Sequence, residues 1–146
     1  EELRHLEKAL GIAREELALE RAMALTSEAE PVRESLVLVK RLDAIDSAAL
    51  QIAAKGLLDR LGDSSAVVLG GLPDPDDKTK VVLVAAFGHA LTSAKMHAGK
   101  FIASIAKYCG GGGGGRPNLA QAGGKNGEAL DKSLTIARED LNSQLP

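Results

Sequence analysis

Six consecutive glycines, Gly110, Gly111, Gly112, Gly113, Gly114 and Gly115, constrain this chain more than any other feature. Such a run has no side chains between its amides and whatever approaches them, and it reaches φ values that other residues avoid. It follows a helical pattern and leads into Arg116-Pro117-Asn118, then Leu119-Ala120-Gln121-Ala122-Gly123-Gly124. A close approach by a ligand and a flexible linker are both compatible with glycine alone. Three nucleotide-binding loops are not. A P-loop ends in Gly-Lys-Ser/Thr, whereas Gly124-Lys125 is followed by Asn126. The dinucleotide fingerprint needs a strand before its glycines, and the aromatic signature of RNA-recognition sheets is missing.

Charge is segregated around the run. Between Asp77 and Glu128 there is no acidic residue. That stretch holds Lys78, Lys80, Lys95, Lys100, Lys107, Arg116 and Lys125, a formal +7 that leaves −9 on the rest of a chain of net charge −2. All three aromatics, Phe87, Phe101 and Tyr108, fall in it too. A basic stretch on an acidic chain points to an anionic partner at one face.

Periodicity organises the rest. Leu3, Leu6, Leu10, Ala13 and Leu17 form a heptad-like seam within a helix expected over residues 1 to about 30 and ended by Pro31. Its narrow stripe suits packing on the last helix or on a partner's helix. From Val32 a globular part is expected. Leu36-Val37-Leu38-Val39 reads as a buried strand. Asp46 caps a helix carrying Leu50, Ile52, Ala53, Leu57 and Leu61, closed by Gly62. Ala66-Val67-Val68-Leu69 is a second strand, parallel to the first through a right-handed crossover. The turn Pro73-Asp74-Pro75-Asp76-Asp77 leads to a third strand from Lys80 to Phe87, antiparallel to the second. A helical stretch follows from Ala90, with a break expected near Gly99. Phe101, Ile102, Ile105 and Tyr108 then point inward, and Lys100, Ser104 and Lys107 outward. Gly110 suits the C′ position. Pro117 and Gly123 bracket an expected helical turn from Asn118 to Ala122. The last helix starts near Gly127 behind an Asn126 cap, with Leu130, Leu134, Ala137 and Leu141 as its stripe. The fold class is α/β (α+β): a long helix over 1–31, then a small mixed sheet covered by helices over 32–146.

The segment GGGGGGRPNLAQAGG, Gly110 to Gly124, together with AGKFIASIAK, Ala98 to Lys107, resembles the C-terminal, DHHA1-type domain of alanyl-tRNA synthetases. DHH phosphodiesterases share this domain but carry a shorter glycine motif, often with His, and lack the Arg-Pro continuation. The resemblance covers about Val32 to Leu145. The N-terminal helix resembles the helical linker before that domain. Asn118 departs from the Asp that many members carry. The resemblance implies a module that binds tRNA specific for alanine at the outer corner of the L, helping the aminoacylation and editing sites act on one tRNA. It also implies that ATP, Mg and Zn belong to other domains of the family, so no catalytic residue, metal or cofactor is expected here. In some members the helical part contributes to dimerisation. The alternative is the substrate-binding domain of a DHH-type phosphodiesterase.

Specific roles follow from that implied partner. Lys95, Lys100, Lys107 and Lys125 are candidates for phosphate contacts, and Arg116 for a bidentate phosphate contact or a stack. The glycine amides Gly110 to Gly115 suit a sugar–phosphate turn. Asn118 and Gln121 suit a 2′-OH or base edge. Other residues carry no site. His89 and His97 lack ligand-spaced neighbours for zinc. Cys109 reads as a small packed residue, and the Asp74–Asp77 turn as a solvated hairpin tip without the closing Glu of a hard-cation loop. The single cysteine fits a reducing compartment. No apolar run approaches the ~20 residues of a membrane span. With no initiator Met or leader in view, the chain reads as an excised piece, expected in the cytoplasm or in an organelle whose targeting segment is absent.

Overall fold

The computed structural model describes residues 1–146. Its order is α1 (Glu2–Met23), β1 (Glu30–Val32), β2 (Ser35–Arg41), α2 (Ser47–Leu61), β3 (Ser65–Gly71), β4 (Val81–Phe87), α3 (His89–Ser93), α4 (Ala98–Ala106), β5 (Gly112–Gly115), β6 (Leu119–Gly124) and α5 (Leu130–Gln144), with 3-10 turns before β1, after α4 and before α5. One six-stranded mixed sheet has the order β1-β2-β3-β4-β6-β5. β2 and β3 are parallel, joined by the α2 crossover, and every other pairing is antiparallel.

Alternation along the strands builds two cores. Val37, Val39, Ala66, Val68, Leu83, Ala85, Phe87, Ala120 and Ala122 face α4 and α5. Leu38, Val67, Leu69, Val84 and Ala86 face α2 and the end of α1. The layers are therefore helix, sheet, helix, with the central strands buried on both faces. α2 is capped as expected: the Asp46 carboxylate accepts from the Ala49 N–H at 2.8 Å, and Gly62 (φ 100°) closes the helix. Leu50 and Leu57 are fully buried, each contributing about 1.5–3 kcal/mol.

The two ends of the chain depart from the periodicity reading. α1 stops at Met23 instead of near residue 30, and Pro31 lies in the edge strand β1, where a missing N–H is tolerated. α1 packs on α2 rather than on the last helix, and only Ala18 and Ala22 are buried. Leu3, Leu6, Leu10 and Leu17 are more than half exposed. Small residues allow the close helix–helix approach: a Cβ on Gly56 of α2 would meet Leu19 Cδ1 at 2.5 Å. α5 carries its stripe as expected, with Leu130, Leu134, Ala137 and Leu141 buried and the Asn126 side chain accepting from the Glu128 N–H. Arg33 clamps its end through the carbonyls of Asn142 and Leu145.

Candidate nucleic-acid interface

The glycine run is a strand, not a loop. Gly112–Gly115 pairs with β6 in the register Gly112↔Gly123, Gly113↔Ala122, Gly114↔Gln121, Gly115↔Ala120, and forms one edge of the sheet. The expected helical turn at Asn118 to Ala122 is likewise strand: Pro117 and Asn118 make the hairpin tip, and the Arg116 N–H donates to the Leu119 carbonyl at 3.0 Å. The glycines hid this from propensity, because glycine is depleted in ordinary strands.

Steric alternation explains half of the run. A Cβ on Gly111 would lie 2.6 Å from Gly124 Cα, one on Gly113 would lie 2.5 Å from Ala122 Cβ and from the Gln121 carbonyl oxygen, and one on Gly115 would lie 2.9 Å from Ala120 Cβ. Cβ positions on Gly112 and Gly114 meet nothing within 4 Å. Gly110 closes the helical segment in the left-handed conformation (φ 70°, ψ 34°), the role expected of it. Packing thus requires Gly111, Gly113 and Gly115, and backbone geometry favours Gly110. Gly112 and Gly114 have neither reason, and leave bare backbone at an exposed edge.

α4 holds this edge. Its Ala98 and Gly99 N–H groups donate to the Pro117 and Arg116 carbonyls at 2.9 and 3.1 Å. The break expected near Gly99 falls earlier, at Ala94–His97, where Lys95 takes φ 71° and the His97 ring Nδ1 accepts from the Lys100 N–H. Gly99 is instead helical, and a Cβ there would lie 2.6 Å from the Gly115 carbonyl oxygen, so the close approach of α4 to β5 requires glycine at this position. Phe101 packs on Phe87 of β4 with ring centroids 5.6 Å apart, fixing α4 to the sheet.

This arrangement brings four of the seven basic residues of the acid-free stretch to the ends of the glycine strand. The backbone bond from Gly99 to Arg116 puts Lys100 one residue from that contact, at one end of β5. At the other end the Cys109 carbonyl accepts from the Lys125 and Asn126 N–H groups, drawing Lys125 to the end of α4 near Lys107. Lys95, Lys100, Lys107, Arg116 and Lys125 are all exposed, and none is in an ion pair. Lys95 sits round the corner, sharing a shallow cleft with Lys100, Ser104 and Gln144.

Asn118 and Gln121 are placed differently. Asn118 lines a separate cleft with Asp59, Asp63 and His89, whose lining includes no Lys or Arg. Gln121 Oε1 accepts from Gln51 Nε2 at 2.7 Å and from the Ser47 hydroxyl, so the amide is anchored to α2. Tyr108, expected inside, is 53% exposed. The helix tightens to a 3-10 turn over Lys107–Cys109, which turns Cys109 inward in its place. Buried Cys109 makes an Sγ···Oγ contact of 3.1 Å with Ser133, the packed role expected. No three His, Cys, Asp or Glu residues cluster to hold a metal ion. The acidic turn is self-satisfied: Asp74 accepts from the Asp76 N–H, and Asp77 from Thr79, which lowers the Asp77 pKa.

A model of the DHHA1 domain matches residues 34–143. The chain belongs to the DHHA1 family. Within that family the resemblance read from the glycine motif extends over the whole DHHA1 chain. It is 60% identical over 145 residues, 99% of the chain, to the alanine–tRNA ligase of Prochlorococcus marinus strain MIT 9313. It is 58% identical over 145 residues to the alanine–tRNA ligase of Synechococcus sp. strain CC9311. It spans 16% of the length of these relatives. The crystal structure of the C-Ala domain from Aquifex aeolicus alanyl-tRNA synthetase matches with a TM-score of 0.67 at 24% identity, over 80% of this chain and 96% of that one. At that identity the likeness speaks for the fold, here a DHHA1 domain preceded by a long helix. None of its helices is long and apolar enough to cross a membrane.

Proposed function

We propose that this DHHA1 domain is the C-terminal tRNA-binding module of an alanyl-tRNA synthetase and that it engages the outer corner of alanine-specific tRNA. The observation that carries the reading is the bare edge strand Gly112–Gly115 flanked by unpaired cations: Arg116 and Lys100 at one end, Lys107 and Lys125 at the other. Unpaired cations gain from phosphate contacts and release counterions. The edge strand offers outward backbone groups without a strand partner, and the absent Cβ atoms at Gly112 and Gly114 let a ribose–phosphate chain approach closely. Tyr108, exposed beside Lys107 and Gly110, adds a stacking face at the same end. The module binds and positions; aminoacylation and editing, with their ATP, Mg and Zn, are assigned to other domains. The similarity to alanine–tRNA ligases along the whole chain supports the synthetase branch over a phosphodiesterase.

Titration with an alanine-specific tRNA, and with one lacking the two elbow loops, tests this. The intact tRNA should bind and the truncated one should lose most of the affinity. Arg116→Ala should weaken binding by about 1–3 kcal/mol. Equal affinity for both RNAs would end the elbow assignment.

The exposed seam Leu3, Leu6, Leu10 and Leu17 favours a second, compatible role for α1 as a helix that packs on another helix, in a second copy or elsewhere in the synthetase. Light scattering with and without residues 1–23 checks self-association. A monomer at all concentrations would remove the second-copy option.

A further inference from the structure

The sheet face opposite α4 holds a second feature of the glycine edge. Between α2 and the β5–β6 hairpin lies a cleft of about 260 Å³ lined by Gln51, Lys55, Gly114, Gly115, Arg116 and Gln121. From this cleft we infer that α2 completes the RNA site: Lys55 and Arg116 bind one backbone phosphodiester, and the Gln51–Gln121 pair reads the ribose 2′-hydroxyl beside it. The inference rests on the RNA-binding reading above and adds residues to it.

Charge sets the first half of the assignment. Lys55 and Arg116 come from opposite walls, both exposed, and neither is in an ion pair. Two unneutralised cations lining one cleft favour an anion. The volume lies below the ~300–1,000 Å³ of pockets for drug-sized ligands, so it suits one nucleotide unit or less. No aromatic side chain lines it, so a base has nothing to stack on.

Hydrogen bonding sets the second half. Gln121 Oε1 already accepts two bonds, from Ser47 and from Gln51 Nε2. Each side-chain amide offers one carbonyl and one NH2. The network therefore leaves the Gln121 NH2 and the Gln51 carbonyl oxygen without protein partners, one donor and one acceptor on neighbouring residues. A hydroxyl that accepts from the first and donates to the second satisfies both. The 2′-OH is such a group and is what separates RNA from DNA. Gly114, directly opposite Gln121, keeps the cleft open because a Cβ there would point into free space.

The test uses the 146-residue chain with an alanine-specific tRNA transcript and with DNA of the same sequence. Lys55→Ala should bind tRNA about tenfold more weakly, the loss of one charge-assisted contact. It should also reduce the slope of log K against log salt by about 0.7–0.9. Gln51→Ala should shrink the preference for RNA over DNA and leave that slope unchanged. Lys132→Ala, an exposed lysine on α5, serves as the control and should bind like the parent chain. If Arg116→Ala weakens binding while Lys55→Ala keeps both affinity and slope, the cleft assignment is overturned and the edge-strand reading stands. A Gln51→Ala chain with an unaltered RNA preference overturns the ribose contact. If the parent chain does not bind tRNA at all, the underlying functional reading fails first.

Discussion

Adjacent glycines in β5 should respond to the same substitution with opposite signs. At Gly113 a new methyl carbon would lie 2.5 Å from both Ala122 Cβ and the Gln121 carbonyl oxygen. Ordinary contact is nearly 1 Å longer, so β5 must shift away from β6. Overpacking of this kind costs about 1–3 kcal/mol. Gly113→Ala should therefore lower Tm by roughly 2–12 °C, at 2–4 °C per kcal/mol for a chain near this size. At Gly114 the methyl meets nothing within 4 Å, and φ is not left-handed. The main effect there is fewer unfolded conformations, a gain of about 0.4–1 kcal/mol. Gly114→Ala should raise Tm by roughly 1–4 °C while weakening tRNA binding, because the methyl enters the cleft beside Gln121. Urea unfolding followed by circular dichroism, with the m-value checked for constancy, gives the two stabilities. Equal shifts of the same sign would refute the alternation, and the run would then be a flexible connector instead of a strand.

Other expectations follow from the same geometry. Lys100→Ala and Lys107→Ala should each flatten the salt dependence of tRNA binding by about one phosphate contact; an unchanged slope would make these lysines a solvated face only. Gly99→Ala should push α4 off β5, since its methyl would meet the Gly115 backbone at 2.6 Å. Hydrogen exchange at Gly112–Gly115 should then speed up while β3 stays protected, and uniform protection would contradict the packing. Asp43 gives a pH expectation. Burial opposes its ionisation, but the Leu72 N–H and the Arg41 guanidinium outweigh that and hold its pKa below the usual value. Its contribution to stability is fully present above pH ~4 and is lost as pH falls through the lower folded value. Asp43→Asn should flatten the pH profile of urea midpoints on that acid side, and an unaltered profile would rule the carboxylate out.

Several elements are legible in the sequence because local chemistry settles them. The Asp46 cap and Gly62 stop fix α2. The short link between β3 and β4 leaves only an antiparallel pairing, and Gly110 adopts the left-handed turn that glycine alone takes cheaply. The basic, acid-free stretch was a property of the sequence, and so was its glycine motif, which carried the family resemblance. Other features needed the fold. A glycine run has no side-chain pattern, so nothing local distinguishes the strand β5 from a linker; β6 and Gly99 decide it by how closely they approach. Periodicity placed Tyr108 inside by extending an α-helix that in fact tightens at Lys107. Gln51 and Lys55 lie some sixty residues before the glycines, and only the α2 crossover brings them to Gly114 and Gln121. By itself the sequence determined the helix caps, the central strands and the segregation of basic residues into one stretch, because these depend on neighbours within a few residues. The tertiary structure alone decided which glycines are sterically required and which side chains share the cleft, because both depend on contacts between segments far apart in the chain.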